Sequence, residues 1–212
     1  MLLKDHYWYF TEAIPPKICD NIIEHALNKK EESAKIGGRP PEKGYTKKEL
    51  SMMKRKRNSD LVWLNDPWIY KEVQPYIARA NKLAGWNFQW DWSEPMQFTK
   101  YKLNQYYDWH NDSHTDTYSK IKNKYSFGKT RKLSMTCQLT DGSEYEGGEL
   151  EFDFRNYDPN MREEAKHLRK VKEILPKGSI VVFPSFVWHR VKPITKGVRY
   201  SLVMWNLGYP FK

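Results

Sequence analysis

The sequence predicts a mainly β, α+β protein: an antiparallel sandwich or jelly roll, supported by N-terminal helices on one face. Three observations lead there. From Trp86 onward, short runs rich in β-branched and aromatic residues alternate with turn residues. No helical crossovers separate those runs, which favours antiparallel over parallel strands. The two stretches with apolar residues at helical spacing both precede Gly85.

In chain order, residues 16–30 read as an amphipathic helix. Ile18, Ile22 and Ala26, with Ile23 and Leu27, share one face, and Pro15-Pro16 sit before its first turn. The Gly/Pro/Lys-rich stretch from about 33 to 58 has no sustained period and reads as a mobile basic loop, a candidate lid over a substrate. Asp66-Pro67 then opens a second helix, with Asp66 as N-cap and Pro67 in the first turn. Its face is Ile69, Val73, Tyr76/Ile77, Ala80 and Leu83/Ala84, it ends at Gly85, and Pro75 within it predicts a kink or break.

The expected strands are 86–92, 95–102, 105–111, 131–139, 149–154, 171–174, 179–183, 187–192 and 198–206, with 155–170 as a charged insertion. The chain is expected to form a single domain over 1–212, with 1–94 as helical support and mobile basic loop and 95–208 as the jelly-roll core.

Composition sets further bounds. At 212 residues, with 39% hydrophobic and 15% aromatic residues, the chain can bury a proper core and is not a disordered segment. No run approaches the apolar length of a membrane span, and the first residues lack a signal-peptide core. Cys19 and Cys137 are read as reduced thiols, which places the protein in the cytoplasm. The net charge of +10 comes largely from Lys47–Arg57 and Lys120–Lys132. It reads first as a solvated surface and second as an attraction for nucleic acid.

The chemistry concentrates in Tyr101–Asp112. In a strand, residues i and i+2 project from one face, so His110 and Asp112 can aim an imidazole and a carboxylate at one point. A second histidine, His189, completes the two-histidine, one-carboxylate set that holds non-haem Fe(II) and leaves positions open. His114-Thr115-Asp116 repeats the spacing but lies in a polar, loop-like run, so His110/Asp112 is preferred. Ten residues after His189, Arg199 lies on an apolar strand with Ser201 on its face, and a buried arginine there calls for an anion. On 131–139, Ser134, Thr136 and Gln138 alternate with Leu133, Met135 and Cys137, which predicts a wet pocket on one side.

With Gly147-Gly148-Glu149-Leu150 and the Pro-Lys-Gly-Ser turn at 176–179, these residues resemble the 2-oxoglutarate/Fe(II)-dependent dioxygenases, prolyl 4-hydroxylase-like branch, over about 96–208. The resemblance implies a double-stranded β-helix (jelly roll) that uses Fe(II), 2-oxoglutarate and O2 to hydroxylate a peptidyl residue such as proline. It implies iron ligands His110, Asp112 and His189, and cosubstrate contacts from Arg199, Ser201, Tyr101 and Gln138, the last where relatives often place a tyrosine. Tyr107, Arg131 and Trp205 are then candidate substrate contacts. No membrane partner is expected, and the protein is expected to be a monomer or homodimer. Two alternatives stay open: the same chemistry on nucleic acid or a small molecule, and a jelly-roll binding module without turnover. Against nucleic acid, the second arginine that base demethylases carry soon after the cosubstrate arginine is missing between Tyr200 and Phe211.

Overall fold

In the computed structural model, residues 3–34, 44–113, 117–118, 124–154 and 168–211 are described. Their helices are α1 (Pro16–Leu27), α2 (Lys47–Lys56) and α3 (Pro67–Leu83). Their strands are β1 (Trp8–Phe10), β2 (Glu32–Ser33), β3 (Arg57–Asn58), β4 (Asp60–Leu64), β5 (Trp92–Ser93), β6 (Met96–Tyr101), β7 (Tyr106–His110) and β8 (Thr130–Gln138). The remainder are β9 (Tyr145–Gly147), β10 (Leu150–Asp153), β11 (Leu168–Lys170), β12 (Ile180–Pro184), β13 (Trp188–Val191), β14 (Ile194–Gly197) and β15 (Arg199–Gly208).

The major sheet runs β1-β12-β8-β15-β6-β4-β2, with β5 added to β15; the minor sheet runs β11-β10-β13-β7-β3. The pairings are antiparallel, and none of these described helices is long and apolar enough to cross a membrane. This is the expected jelly-roll architecture.

Alternation along the strands divides the core in two. On one face of the major sheet, Leu133, Met135, Cys137, Leu202 and Met204 pack with Ile22 and Ala26 of α1 and with Ile69, Val73 and Ile77 of α3. On the other face, Val181 and Phe183 join Leu150, Phe152 and Val191 of the minor sheet. Both helices therefore lie on one face of the sheet, as expected.

Several local expectations are corrected. The described part of the 33–58 stretch is not one loop. Residues 35–43 of it lie outside the described residues, and its described part contains the end of β2, α2 and β3; α2 is set by a capping box in which Thr46 Oγ accepts from Glu49 N (3.2 Å) and Glu49 Oε2 accepts from Thr46 N (2.7 Å). This signal lay in Thr46-x-x-Glu49, hidden by the surrounding lysines. The Asp66 carboxylate accepts no capping hydrogen bond from α3; it is held instead by Lys29 (2.9 Å) and His25 (3.1 Å). The α3 helix continues past Pro75. Leu27 and Leu83 are exposed, so the buried stripes run through Cys19, Ile22 and Ala26 and through Ile69, Val73, Ile77 and Ala80. Of 86–92 only Trp92 is in a strand, and 172–174 is a 3-10 turn. Both cysteines are free and buried. His114, Asp116, His167 and most of the 155–170 insertion lie outside the described residues.

The two glycine motifs bring chain segments close together. Gly178 adopts φ +81°, and a Cβ there would stand 1.9 Å from the Ile14 carbonyl oxygen. That backbone contact ties the N-terminal segment to the turn before β12, with Ile14 N donating to Gly178 O at 3.0 Å. At Gly148, φ is +64° and a Cβ would meet Ile194 Cδ1 at 2.3 Å and Arg199 Cδ at 3.3 Å.

Candidate active site

The strand β7 carries His110 to the position directly opposite His189 of β13. Asp112 follows β7 and is fixed by its own backbone, with Asp112 N and Ser113 N both donating to Ser185 O (2.8 and 2.9 Å). One ligand atom each from His110, Asp112 and His189 falls within 4.8 Å of the others. His110 Nε2 lies 3.9 Å from Asp112 Oδ1, and His189 Nε2 lies 3.6 Å from Asp112 Oδ2.

The chemistry of this donor set fits a divalent metal. His110 Nδ1 faces the Asp108 carbonyl at 2.8 Å and His189 Nδ1 faces the Val187 carbonyl at 3.0 Å. A carbonyl only accepts, so each Nδ1 carries the proton and each Nε2 turns a lone pair towards the carboxylate. Burial, helped by His189, holds the His110 imidazole well below its usual value and therefore neutral. Burial alone would raise the Asp112 carboxyl, but His189, His110, Arg131 and the Ser134 hydroxyl outweigh it and bring it down to about 2. Ser134 Oγ donates to Asp112 Oδ2 at 2.7 Å and sits 2.9 Å from Ser185 Oγ. Tyr107 stacks on the His110 ring with centroids 3.4 Å apart.

The cavity in front of these groups is lined by Tyr101, Tyr107, Thr136, Phe183, Arg199, Ser201 and Trp205 as well as the triad. Arg199 is 1% exposed, and among the described residues its guanidinium has no carboxylate within ion-pair distance. Its Nε donates to Gln138 Oε1 at 3.1 Å, and Tyr101 is its cross-strand partner with the ring centroid 5.7 Å away. A fully buried guanidinium facing a cavity without a protein anion fits an anionic ligand. Tyr101 is kept neutral because burial raises its phenol, so it can donate a hydrogen bond.

Two expected contacts sit elsewhere. Gln138 does not line the cavity. Its amide is consumed behind Arg199, with Nε2 donating to Thr140 O and Tyr145 Oη (both 2.8 Å). Arg131 does not line it either; its Nε is paired with Glu94 at 2.7 Å, and its guanidinium lies over the Trp205 ring at 3.9 Å. Tyr107 and Trp205, by contrast, do face the cavity.

One residue escaped sequence reasoning. Arg57, at the end of the basic run, is 5% exposed and lines the cavity with its guanidinium over the Tyr107 ring at 4.5 Å. Nε donates to Ser59 Oγ (3.0 Å) and Nη1 to Gln97 Oε1 (3.2 Å). Its Nη2 and the indole Nε1 of Trp205 are buried without a hydrogen-bond partner among the described residues. The available signal was Arg57-x-Ser59 leading into the apolar Leu61-Val62, a strand pattern masked by the three preceding cations Lys54, Arg55 and Lys56.

Comparison with known proteins agrees with this geometry. The family model for the 2OG-Fe(II) oxygenase superfamily matches residues 96–206. A PKHD-type hydroxylase of Synechococcus sp. (strain CC9902) is 37% identical over 103 residues, covering 49% of this chain and 36% of that protein. A PKHD-type hydroxylase of Xylella fastidiosa (strain M23) is 31% identical over 111 residues, covering 52% and 43%. The chain thus matches less than half the length of these curated relatives. Among solved structures, the viral collagen prolyl hydroxylase of Paramecium Bursaria Chlorella virus-1 superposes with a TM-score of 0.63 at 16% identity, covering 97% of both chains. A prolyl hydroxylase from Trichoplax adhaerens, in complex with a hypoxia inducible factor oxygen degradation domain peptide fragment, gives 0.67 at 15% identity, covering 96% and 84%. At such identities the likeness is one of fold.

Proposed function

Because this chain belongs to the 2OG-Fe(II) oxygenase superfamily, we propose that it hydroxylates a peptidyl residue such as proline, using Fe(II), 2-oxoglutarate and O2 and releasing succinate and CO2. The observation that carries the reading is the convergence on a single cavity of three ligand atoms, from buried Asp112 and His189 and half-buried His110, and of one buried arginine without a carboxylate partner among the described residues.

In this reading His110, Asp112 and His189 would hold the iron. When bound, the metal and cosubstrate supply the oxidising chemistry. Everything else is positioning by the chain. The Asp108 and Val187 carbonyls fix the histidine tautomers, and Ser134 orients the Asp112 carboxylate. Arg199 takes the far carboxylate of 2-oxoglutarate, with Ser201 and Tyr101 as hydroxyl donors. Gln138 is a positioning residue that holds the guanidinium from behind.

The substrate side of the cavity offers Tyr107, Trp205 and Arg57. The unpartnered Nη2 and Nε1 there are donors without acceptors, which suits the carbonyl oxygens of a peptide. Arg131 then acts through Trp205, which it holds in place. The peptide in the Trichoplax complex supports the same substrate class. We take the chain as one catalytic domain and place it in the cytoplasm, where the free thiols of Cys19 and Cys137 would persist.

The test is incubation with Fe(II), 2-oxoglutarate, O2 and proline-containing peptides. Succinate release coupled to a peptide mass gain of one oxygen atom is expected. Succinate release coupled instead to nucleic-acid demethylation, or no 2-oxoglutarate consumption with any substrate, would overturn the peptide reading.

A further inference from the structure

A second cavity, of about 900 Å³, lies on the far side of β8 from the metal centre and shares no lining residue with the first. Its walls are aromatic. Trp86 and Phe88 stack with centroids 6.3 Å apart, Phe88 meets Phe211 edge-on at 4.8 Å, and Trp90 and Tyr209 add two more rings to the lining. Size and composition fall within the range of small-molecule sites, which are mostly apolar with a few polar groups.

Asn87, Gln89 and Asp91 also line this cavity, but the Asp91 carboxylate is paired with Lys129, so among the described residues the unpaired charge in this lining is Lys132, and a bulge puts it there. Along β8, Leu133 pairs with Asn206 and Arg131 pairs with Leu207, so Lys132 is skipped by the ladder. A bulged residue re-aims its side chain. Lys132 therefore leaves the row of Ser134 and Thr136 that faces the metal cavity, and it lines the aromatic groove instead. It is 3% exposed and has no carboxylate partner among the described residues. Its neighbour Lys129 makes the contrast: that ammonium is paired with Asp91 at 2.6 Å. What covers the Lys132 ammonium is the face of Phe211, 3.3 Å from the ring centroid, on a side chain that is itself 48% exposed.

A buried ammonium without an anion is costly, and burial already pulls Lys132 below its usual value. One unpaired cation at the base of an aromatic groove matches one negative charge on a flat apolar body. A polyanion would need further cations, and Lys129 is already engaged. We propose that this groove is a second binding site, for a small aromatic monocarboxylate whose anion pairs with Lys132 while its rings pack on Trp86, Phe88 and Trp90.

The test compares 1-naphthoate with its uncharged isostere 1-naphthamide, titrated into the protein with calorimetric readout. The naphthoate is expected to bind at least about tenfold more tightly, the scale of one charge-assisted hydrogen bond. Lys132→Met should abolish that preference and Lys132→Arg should keep it. His110→Ala, in the other cavity, should leave it unchanged. Equal affinity for the two ligands, or no binding of either by about 1 mM, overturns the site; both readings need no variant, so they stand even if Lys132→Met does not fold. A preference that survives Lys132→Met, or disappears in His110→Ala, overturns it as well.

Discussion

The two faces of β8 are made from alternate residues of one strand, yet they do different work. Leu133, Met135 and Cys137 enter the core under α1 and α3, where every contact is apolar and fully buried. Ser134, Thr136 and Gln138 are equally buried but turn to the metal cavity and to Arg199, where each polar atom has an assigned partner or faces the site. Burial alone therefore does not separate scaffold from chemistry in this molecule. The identity of the partner does: carbon on one face, a charged or ligand-directed group on the other. Substitutions on the apolar face should lower stability and leave ligand affinities intact, whereas those on the polar face should do the reverse.

The largest effect is expected at the triad. His189→Ala should eliminate measurable turnover and metal binding while the thermal midpoint moves little, because a buried imidazole is lost next to a carboxylate that water can then reach; a variant that turns over normally would break the comparison. Arg199→Met should weaken 2-oxoglutarate binding by roughly a hundredfold, the scale of truncating one partner of a buried charge pair, about 2–5 kcal/mol. Direct calorimetric titration reads this. On the apolar face, Met204→Ala should cost about 2–5 kcal/mol of stability by denaturant unfolding, with unchanged 2-oxoglutarate affinity in the folded fraction. Ser134→Ala sharpens the contrast, since it removes only the hydrogen bond to Asp112. Metal affinity should fall by about 10–100-fold, measured with Mn(II), at little cost in stability. The smallest effect belongs to Thr46→Ala, which removes the α2 capping box. It should cost about 1 kcal/mol, confined to a helix with no buried side chains, and be visible as faster amide exchange in α2 alone.

The same division explains what the sequence made legible. Alternation on β8 and β15, the His-x-Asp spacing and the isolated Arg199 all carry local signals, because a strand maps i and i+2 onto one face. The two sheets and the place of His110 follow from that, whereas Asp112 lies past the end of β7 and is placed by the backbone bonds of Asp112 N and Ser113 N to Ser185 O. What the sequence hid depends on contacts between distant segments. Gln138 reads as a cavity residue by alternation, but Arg199 and Tyr145 draw its amide into the wall. Arg131 looks like a substrate cation until Glu94, from β5's approach to β6, claims it. Arg57 looked like one more surface cation in a basic run, and only the pairing of β3 with β7 places it beside Tyr107. Asp66 has the sequence of an N-cap, and Lys29 and His25 from α1 and its following turn outcompete the helix for its carboxylate.

The most direct measurement of the central assignment is an anaerobic titration with Fe(II) and 2-oxoglutarate, following the weak visible charge-transfer band of the chelate. The wild type should develop the band, His110→Ala should lose it, Arg199→Met should require far more 2-oxoglutarate to reach it, and His114→Ala should keep it. A wild type without the band, or a band lost with His114 and kept without His110, would contradict the assignment of His110, Asp112 and His189 as the iron site.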